Sequence, residues 1–491
     1  MMHGPEKSDS SIVATKPTNK LGRPGAEPVE PREGTEGNAG KPRTRRTQSR
    51  VSVSHGRDRV RQAARQRREE RFTAVLHHVT VDLLRDAYSW LEPDAAPGVD
   101  GLTWQAYGQN LEANLVDLHG RVHRGGYRAR PSRRRYIAKP DGRQRPLGIA
   151  ALEDKIVQRA VVEILNAIYE EDFLGFSYGF RPGRGQHDAL DALAVGIGRR
   201  RVNWILDADI ATFFDAVSHD WLIRFLEHRL GDARMIRLIR KWLRAGVMED
   251  GVVTLTAAGT PQGAVVSPLL ANIYLHYVFD LWANRWRHHR ARGQVIIVRY
   301  ANDIVVGFEH KAEAERFLAD LRERMAKFAL TLHPEKTRLI EFGRFAAANR
   351  VRRGLGKPET FNFLGFTHIC GRSARGRFVL MRKSRDRMRV TLRAIKVALW
   401  RRMHLPIPMV GEWLGQVARG YFNYHAVPTN TESLSAFRFH VTNLWRRALR
   451  RRSQKDLTTW ERMTRLAADY LPPVRVLHPR PDARFDVKYP R

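Results

Sequence analysis

Two runs of β-branched residues, Val295-Ile296-Ile297-Val298 and Ile304-Val305-Val306, close on the polar tetrad Tyr300-Ala301-Asn302-Asp303. This pattern predicts a strand-turn-strand hairpin whose tip presents a carboxylate. Upstream, Trp204-Ile205-Leu206-Asp207-Ala208-Asp209-Ile210 repeats the scheme, an apolar strand that ends in acids and is followed by Phe213-Phe214. Side by side in one sheet, the two strands would bring Asp209 and Asp303 to a common edge. Carboxylates so placed can hold the Mg²⁺ ions of a two-metal phosphoryl transfer. A single acid at a strand end says little, because strand termini often carry solvated Asp. Asp207 shares a strand face with Asp209 but lies deeper, and Asp215 lies past the strand, so neither is counted as a ligand.

The chain carries 86 Lys and Arg against 51 Asp and Glu, a formal charge of +35 spread along its whole length. Such a field favours a polyanion, with steep salt dependence through counterion release. An anionic membrane surface is the rival partner. However, no stretch approaches the roughly twenty apolar residues of a span, and the N-terminus lacks the apolar core of a signal peptide. The expectation is a protein of the cytoplasm with no membrane partner. The single cysteine, Cys370, excludes an intramolecular disulfide framework and any Cys-cluster zinc site. Residues 1–72 are rich in Pro, Gly, Ser, Thr and charge and read as a disordered basic arm. An RNA-touching role and a solubilising role fit that arm equally.

Between the two acidic strands lies Gly259-Thr260-Pro261-Gln262-Gly263-Ala264-Val265-Val266-Ser267-Pro268-Leu269-Leu270-Ala271-Asn272. The order of acidic strand with aromatic pair, Pro-Gln-Gly and Tyr-Ala-x-Asp hairpin resembles the palm of reverse transcriptases. The flanking text is similar to the group II intron reverse transcriptase/maturase family over about residues 80 to 490. That resemblance implies an α+β right-hand polymerase, with antiparallel sheet in fingers and palm and an α-helical thumb/maturase domain. It implies fingers with an N-terminal extension over 73–200, a palm over 201–375, the helical thumb over 376–452 and a short basic segment over 453–491. An appended endonuclease would need a paired-Cys zinc framework, which one cysteine cannot supply.

The resemblance also implies roles. Asp209, the residue at 302 and Asp303 are the catalytic set. Asp209, Asp303 and the Ile210 carbonyl hold two Mg²⁺ ions, with Mn²⁺ an acceptable substitute. One position departs from the family: its hairpin reads Tyr-Ala-Asp-Asp, and here the first acid is Asn302. An amide offers a neutral oxygen, so the site carries two charges where the family has three. Losing one oriented charge at a metal site costs on the order of a hundredfold in rate.

Lys139 and Arg145 flank a hairpin turning at Asp141-Gly142, where the family's fingers neutralise a triphosphate; a solvated basic strand is the plain alternative. Phe214 matches the aromatic that excludes a ribose 2′-OH, with Phe213 as the fallback and a core role open for either ring. Thr260 reads as an N-cap with Pro261 at the first helical position, which puts Gln262 at a positive helix end beside the nucleotide. In Phe176-Ser177-Tyr178-Gly179-Phe180-Arg181-Pro182-Gly183, alternating aromatic, cationic and glycine residues suit stacking on template bases, with Arg181 and Gly183 as contacts. Lys336, the Leu364-Gly365 pair, and Arg419 with Tyr421 complete the expected RNA and primer contacts. The implied partners are group II intron RNA, an RNA template with a DNA primer, dNTPs and a DNA target. The expected function is RNA-templated DNA synthesis with intron binding for splicing and mobility, in a bacterial cytoplasm or nucleoid. A polymerase-inactive splicing factor and a domesticated reverse transcriptase of defence or repair are the competing readings.

Overall fold

In the structure, a computed structural model, residues 47–138, 144–255, 258–260, 263–452 and 458–488 are described. In chain order the strands are β1 Ser132–Ala138, β2 Gln144–Ile149, β3 Trp204–Asp209, β4 Val247–Glu249, β5 Val252–Thr254 and β6 Val295–Tyr300. They continue with β7 Asp303–Phe308, β8 Arg338–Glu341, β9 Phe361–Phe363, β10 Phe366–Arg372 and β11 Phe378–Lys383. Three sheets result, ordered β2-β1-β4-β5, β6-β7-β3-β8 and β11-β10-β9.

The β6-β7-β3-β8 sheet is antiparallel throughout and is buried on both faces, which is why its strands read as continuous apolar runs. Leu206, Ala208, Ile304 and Val306 enter one core with the Leu152–Tyr169, Ser267–Leu275 and Lys311–Lys327 helices. Ile205, Val305 and Ile340 enter another, with Leu190 and Leu193 of the Gln186–Arg199 helix and with Phe361, Phe363 and Phe366. Ile304, Val305 and Val306 are fully buried. Each such side chain stabilises the fold by about 1.5–3 kcal/mol, which fixes the register at the acidic end.

Several expectations need correction. Within the arm expected over 1–72, Thr47–Gln66 forms a helix, because Val60 and Ala64, four apart, bury against the Leu152–Tyr169 helix. Arg57 bonds Glu163 at 2.8 Å there. The 104–124 segment forms two helices, Trp104–Gly108 and Leu111–His123; a Cβ on Gly108 would lie 2.5 Å from the Tyr88 hydroxyl oxygen. Strand β4 pairs in parallel with β1 through Ser132↔Val247, so the sheet crosses the boundary expected at residue 200.

Beyond β11 the helices Arg385–Arg401, Ile407–His425, Thr431–Arg450 and Trp460–Tyr470 share one apolar core around Leu414, Phe437 and Trp445. The last of these lies within the expected short basic segment. Met463 and Ala467, four apart, give it a buried stripe. The Pro481–Lys488 helix then returns to the Gln186–Arg199 helix, where Arg199 pairs with Asp486 at 2.7 Å. Among the described residues no helix is long and apolar enough to cross a membrane.

Candidate active site

β6 and β7 are joined by a two-residue turn, Ala301-Asn302, between the paired residues Tyr300 and Asp303. Ala301 adopts φ +54°, a left-handed backbone that tight hairpins require and that costs a non-glycine residue of order 1 kcal/mol. On the next strand Asp209 is the register partner of Asp303. The two expected acids therefore meet at one sheet edge, on one face.

Asp209 is already engaged. The Asn302 amide donates to its Oδ1 at 3.1 Å, and the Lys336 ammonium donates to its Oδ2 at 2.7 Å. An acid at position 302 would set two carboxyls about that far apart, which calls for a cation or a shared proton between them. The amide makes a bond instead. Lys336 places its positive charge on the carboxylate that a metal ion would neutralise. Among the described residues no three His, Cys, Asp or Glu side chains gather as a metal-binding group. The remaining donors, two carboxylates and backbone or amide oxygens, still suit a hard cation of the Mg²⁺ type. At the strand end, His333 N–H donates to the Asp209 carbonyl and Ala211 N–H to the Thr331 carbonyl, so the Ile210 carbonyl stays outside that bridge. The Leu330-Thr331-Leu332 stretch meets the end of β3 through this one bridge, Ile210↔Leu332. Burial pushes Asp207 up to about 7; the charges of Asp303 and Asp209 add to the rise and Arg338 opposes it.

The neighbouring aromatic pair divides its work. Phe213 is buried, whereas Phe214 is half-buried and meets it edge-on at 5.4 Å. Thr260 N–H donates to the Phe214 carbonyl at 2.7 Å, which ties Thr260 to this segment. Thr260 is not the N-cap of the described helix, which is Val266. Gly259 and Gly263 have φ +91° and +109°, and the helix begins at Ser267 with Pro268 in its first turn. Pro261 and Gln262 lie outside the described residues, as does Lys139. Arg145 is exposed on β2 opposite Ile137.

Two expected nucleic-acid contacts are structural instead. Arg181 is 6% exposed; its guanidinium grips both Glu170 oxygens and the Leu174 and Ser177 carbonyls, leaving no edge for a phosphate. Tyr421 is buried, stacked on Phe437 at 3.8 Å and hydrogen-bonded with the Ser384 hydroxyl at 3.0 Å, and burial pushes its phenol up to about 12. Arg419, on the same helix, is exposed. Gly183 is exposed at φ +68°, and its carbonyl accepts from Lys488 at 2.8 Å. Leu364 and Gly365, at φ +47° and +75°, form the tight β9–β10 turn. The Leu364 carbonyl accepts from the Tyr424 hydroxyl at 2.8 Å. Phe180, passed over in favour of Arg181, is 46% exposed at φ +57°, its ring 6.4 Å from Tyr300. Also missed was Arg299; a charge embedded in an apolar strand was the available signal.

The profile of the reverse transcriptase (RNA-dependent DNA polymerase) family matches residues 137–368, which contain every residue of this edge. Protein YkfC of Escherichia coli is 34% identical over 275 residues, half of this chain and 72% of that protein. Group II intron-encoded protein LtrA of Lactococcus lactis is 36% identical over 221 residues, 45% of this chain and 37% of LtrA. The RNA-directed DNA polymerase from mobile element jockey of Drosophila funebris is 27% identical over 333 residues, 59% of this chain and 34% of its own. The chain thus spans most of YkfC and about a third of the other two. With the hairpin, the paired acids and these likenesses together, the chain belongs to the group II intron-encoded reverse transcriptase/maturase family.

Proposed function

We propose that this protein synthesises DNA on an RNA template from a primer 3′-OH and dNTPs, and that it binds its intron RNA to assist splicing and mobility. The single observation that carries the reading is the register pairing of Asp209 with Asp303 at an open sheet edge. The β2-β1-β4-β5 sheet serves in the fingers, the β6-β7-β3-β8 sheet as palm, and the helices between Arg385 and Tyr470 as the RNA-gripping thumb. Asp209, Asp303 and the Ile210 carbonyl are the residues that would hold Mg²⁺. Bound there, it supplies charge neutralisation at the reacting phosphate and acidifies the primer hydroxyl.

The chain's own residues do the remaining work. The half-buried face of Phe214 excludes a ribose 2′-OH, and Arg145 draws the triphosphate toward the edge. Lys336 would have to leave Asp209 for a cation to be held there, and its ammonium would then hold a proton within reach of the phosphates. Exposed Phe180 offers a stacking surface for a template base next to Tyr300.

Primer extension on an RNA template with Mg²⁺ tests the reading. Extension with dNTPs is expected, and Asp303→Ala should remove it. Phe214→Val should raise ribonucleotide incorporation by about tenfold or more, as removal of a steric filter does. Synthesis that persists at full rate in Asp303→Ala would overturn the assignment.

A further inference from the structure

Arg299, one residue before the hairpin tip, is completely buried. It pairs with Ile304, which pairs with Ala208, so it occupies the sheet face opposite the one that carries Asp209 and Asp303. From there it cannot touch substrate or metal. Its guanidinium nonetheless has every donor placed. Nε and Nη2 clasp the two oxygens of equally buried Asp280 at 2.7 and 2.6 Å. Nη2 also reaches Ser177 Oγ at 2.7 Å, and Nη1 reaches Asn272 Oδ1 and the Ala301 carbonyl, both at 3.0 Å. These bonds use all five N–H groups that an arginine owns.

The partners come from three separate stretches. Ser177 belongs to the loop that ends in Phe180. Asn272 lies in the Ser267–Leu275 helix, and its own amide donates to the Gly179 carbonyl at 2.6 Å. Asp280 ends a π-helical turn, His276–Asp280, which continues that helix. Ala301 is the left-handed residue of the catalytic turn. Backbone bonds reinforce the joint: Arg299 N–H to the Phe176 carbonyl and Tyr178 N–H to the Arg299 carbonyl, both at 2.9 Å. A Cβ at Gly179 would lie 2.4 Å from Ala301 N, so the loop touches the turn backbone to backbone.

We propose that Arg299 and Asp280 are a positioning pair. They hold the Ala301 carbonyl so that Asn302 and Asp303 face Asp209, and they carry the Phe180 loop on the same rigid body as the hairpin. This rests on the polymerase reading of the site. A buried ion pair of this kind adds little net stability, since desolvation offsets attraction. Its return is geometric: a guanidinium plane fixes the directions of acceptors that an ammonium could not satisfy together.

Arg299→Lys keeps the charge and loses at least two of the bonds. In pre-steady-state primer extension with primer-template in excess, burst amplitude counts folded sites and burst rate reports their geometry. Arg299→Lys is expected to slow the rate per site by about a hundredfold, the scale of a 1 Å misplacement. Asp280→Asn should act in the same direction. A merely structural role would lower amplitude and leave the rate unchanged, and that result would overturn the proposal. Because Asn302 itself slows synthesis, the comparison is repeated in the Asn302→Asp background.

Hydrogen exchange gives a readout independent of polymerisation, so failure of the polymerase reading is distinguishable. In Arg299→Lys, peptides covering 176–183 and 300–303 should exchange faster together, by about tenfold or more, while the Ile407–His425 helix stays unchanged. Loosening of the hairpin alone, or of the whole molecule equally, would contradict the proposal.

Discussion

The β6-β7-β3-β8 sheet and the helical unit over residues 385–470 handle charge in opposite ways. The sheet region holds Arg299 and Asp280 fully buried, each with fixed partners. In the helical unit the core around Leu414, Phe437 and Trp445 is apolar, and Arg385, Arg389, Arg393 and Lys396 stand exposed along one helix. A buried charge acts through the direction of each bond, so one substitution disables the region. Exposed charges act as a sum, so one substitution is diluted among the rest.

The sharpest way to test this contrast is to remove a charge from each side. Asp209→Ala takes away the carboxylate that Lys336 and Asn302 both address. Loss of extension by about a thousandfold or more is expected, with RNA binding retained within about threefold. Filter binding and primer extension on the same preparation check both halves; parallel losses would break the contrast.

The seam between the two regions offers a second test. His425 rings against Phe366 at 5.3 Å, and His187 lies 5.1 Å from Tyr424 and 3.9 Å from His478. Burial pushes His187 down to about 2, His425 to about 4 and His368, fully buried between strands, to about 3. In the unfolded chain each titrates near 6.5, so below that pH the unfolded state binds more protons than the folded one. Their neutral forms therefore support the fold above pH 6.5, and that support is lost as pH falls. The loss approaches about 1.4 kcal/mol per group per pH unit. Thermal melting at pH 7.5 and 5.5 should show a clear drop, and His425→Phe should flatten it; an unchanged melting temperature would remove the seam from the account.

The smallest effect is expected on the helical unit itself. Arg389→Ala or Arg393→Ala should weaken RNA binding about two- to threefold and reduce the salt slope by about one, with kcat unaltered. A large kcat effect from either would mean that these cations are placed rather than pooled.

Much of the catalytic edge was legible because strand alternation and a β-branched run fix both register and face. The hairpin and the face shared by Asp209 and Asp303 follow from that periodicity, whereas singling out those two acids rested on the resemblance to reverse transcriptases. The buried roles of Arg181 and Tyr421 were not legible, since exposed and buried cations or phenols share the same letters until their partners are known. Glu170, the partner of Arg181, lies eleven residues away at the end of a helix. Thr260, expected as an N-cap, shows a different limit, since the described helix is capped by Val266. The sequence supplied two proline signals, and the glycines at 259 and 263 took left-handed backbone that deferred the helix to the second. The helix at Thr47–Gln66 escaped because only Val60 and Ala64 among its described side chains are buried.

The central claim is that the Asp209–Asp303 edge is a polymerase centre short of one negative charge. Single-turnover primer extension on an RNA template, run over a Mg²⁺ series with the Asn302 protein and with Asn302→Asp, tests it directly. The account predicts that Asn302→Asp raises the rate by about a hundredfold or more and lowers the Mg²⁺ needed for half-maximal synthesis. Equal rates and equal Mg²⁺ dependence in the two proteins would contradict it.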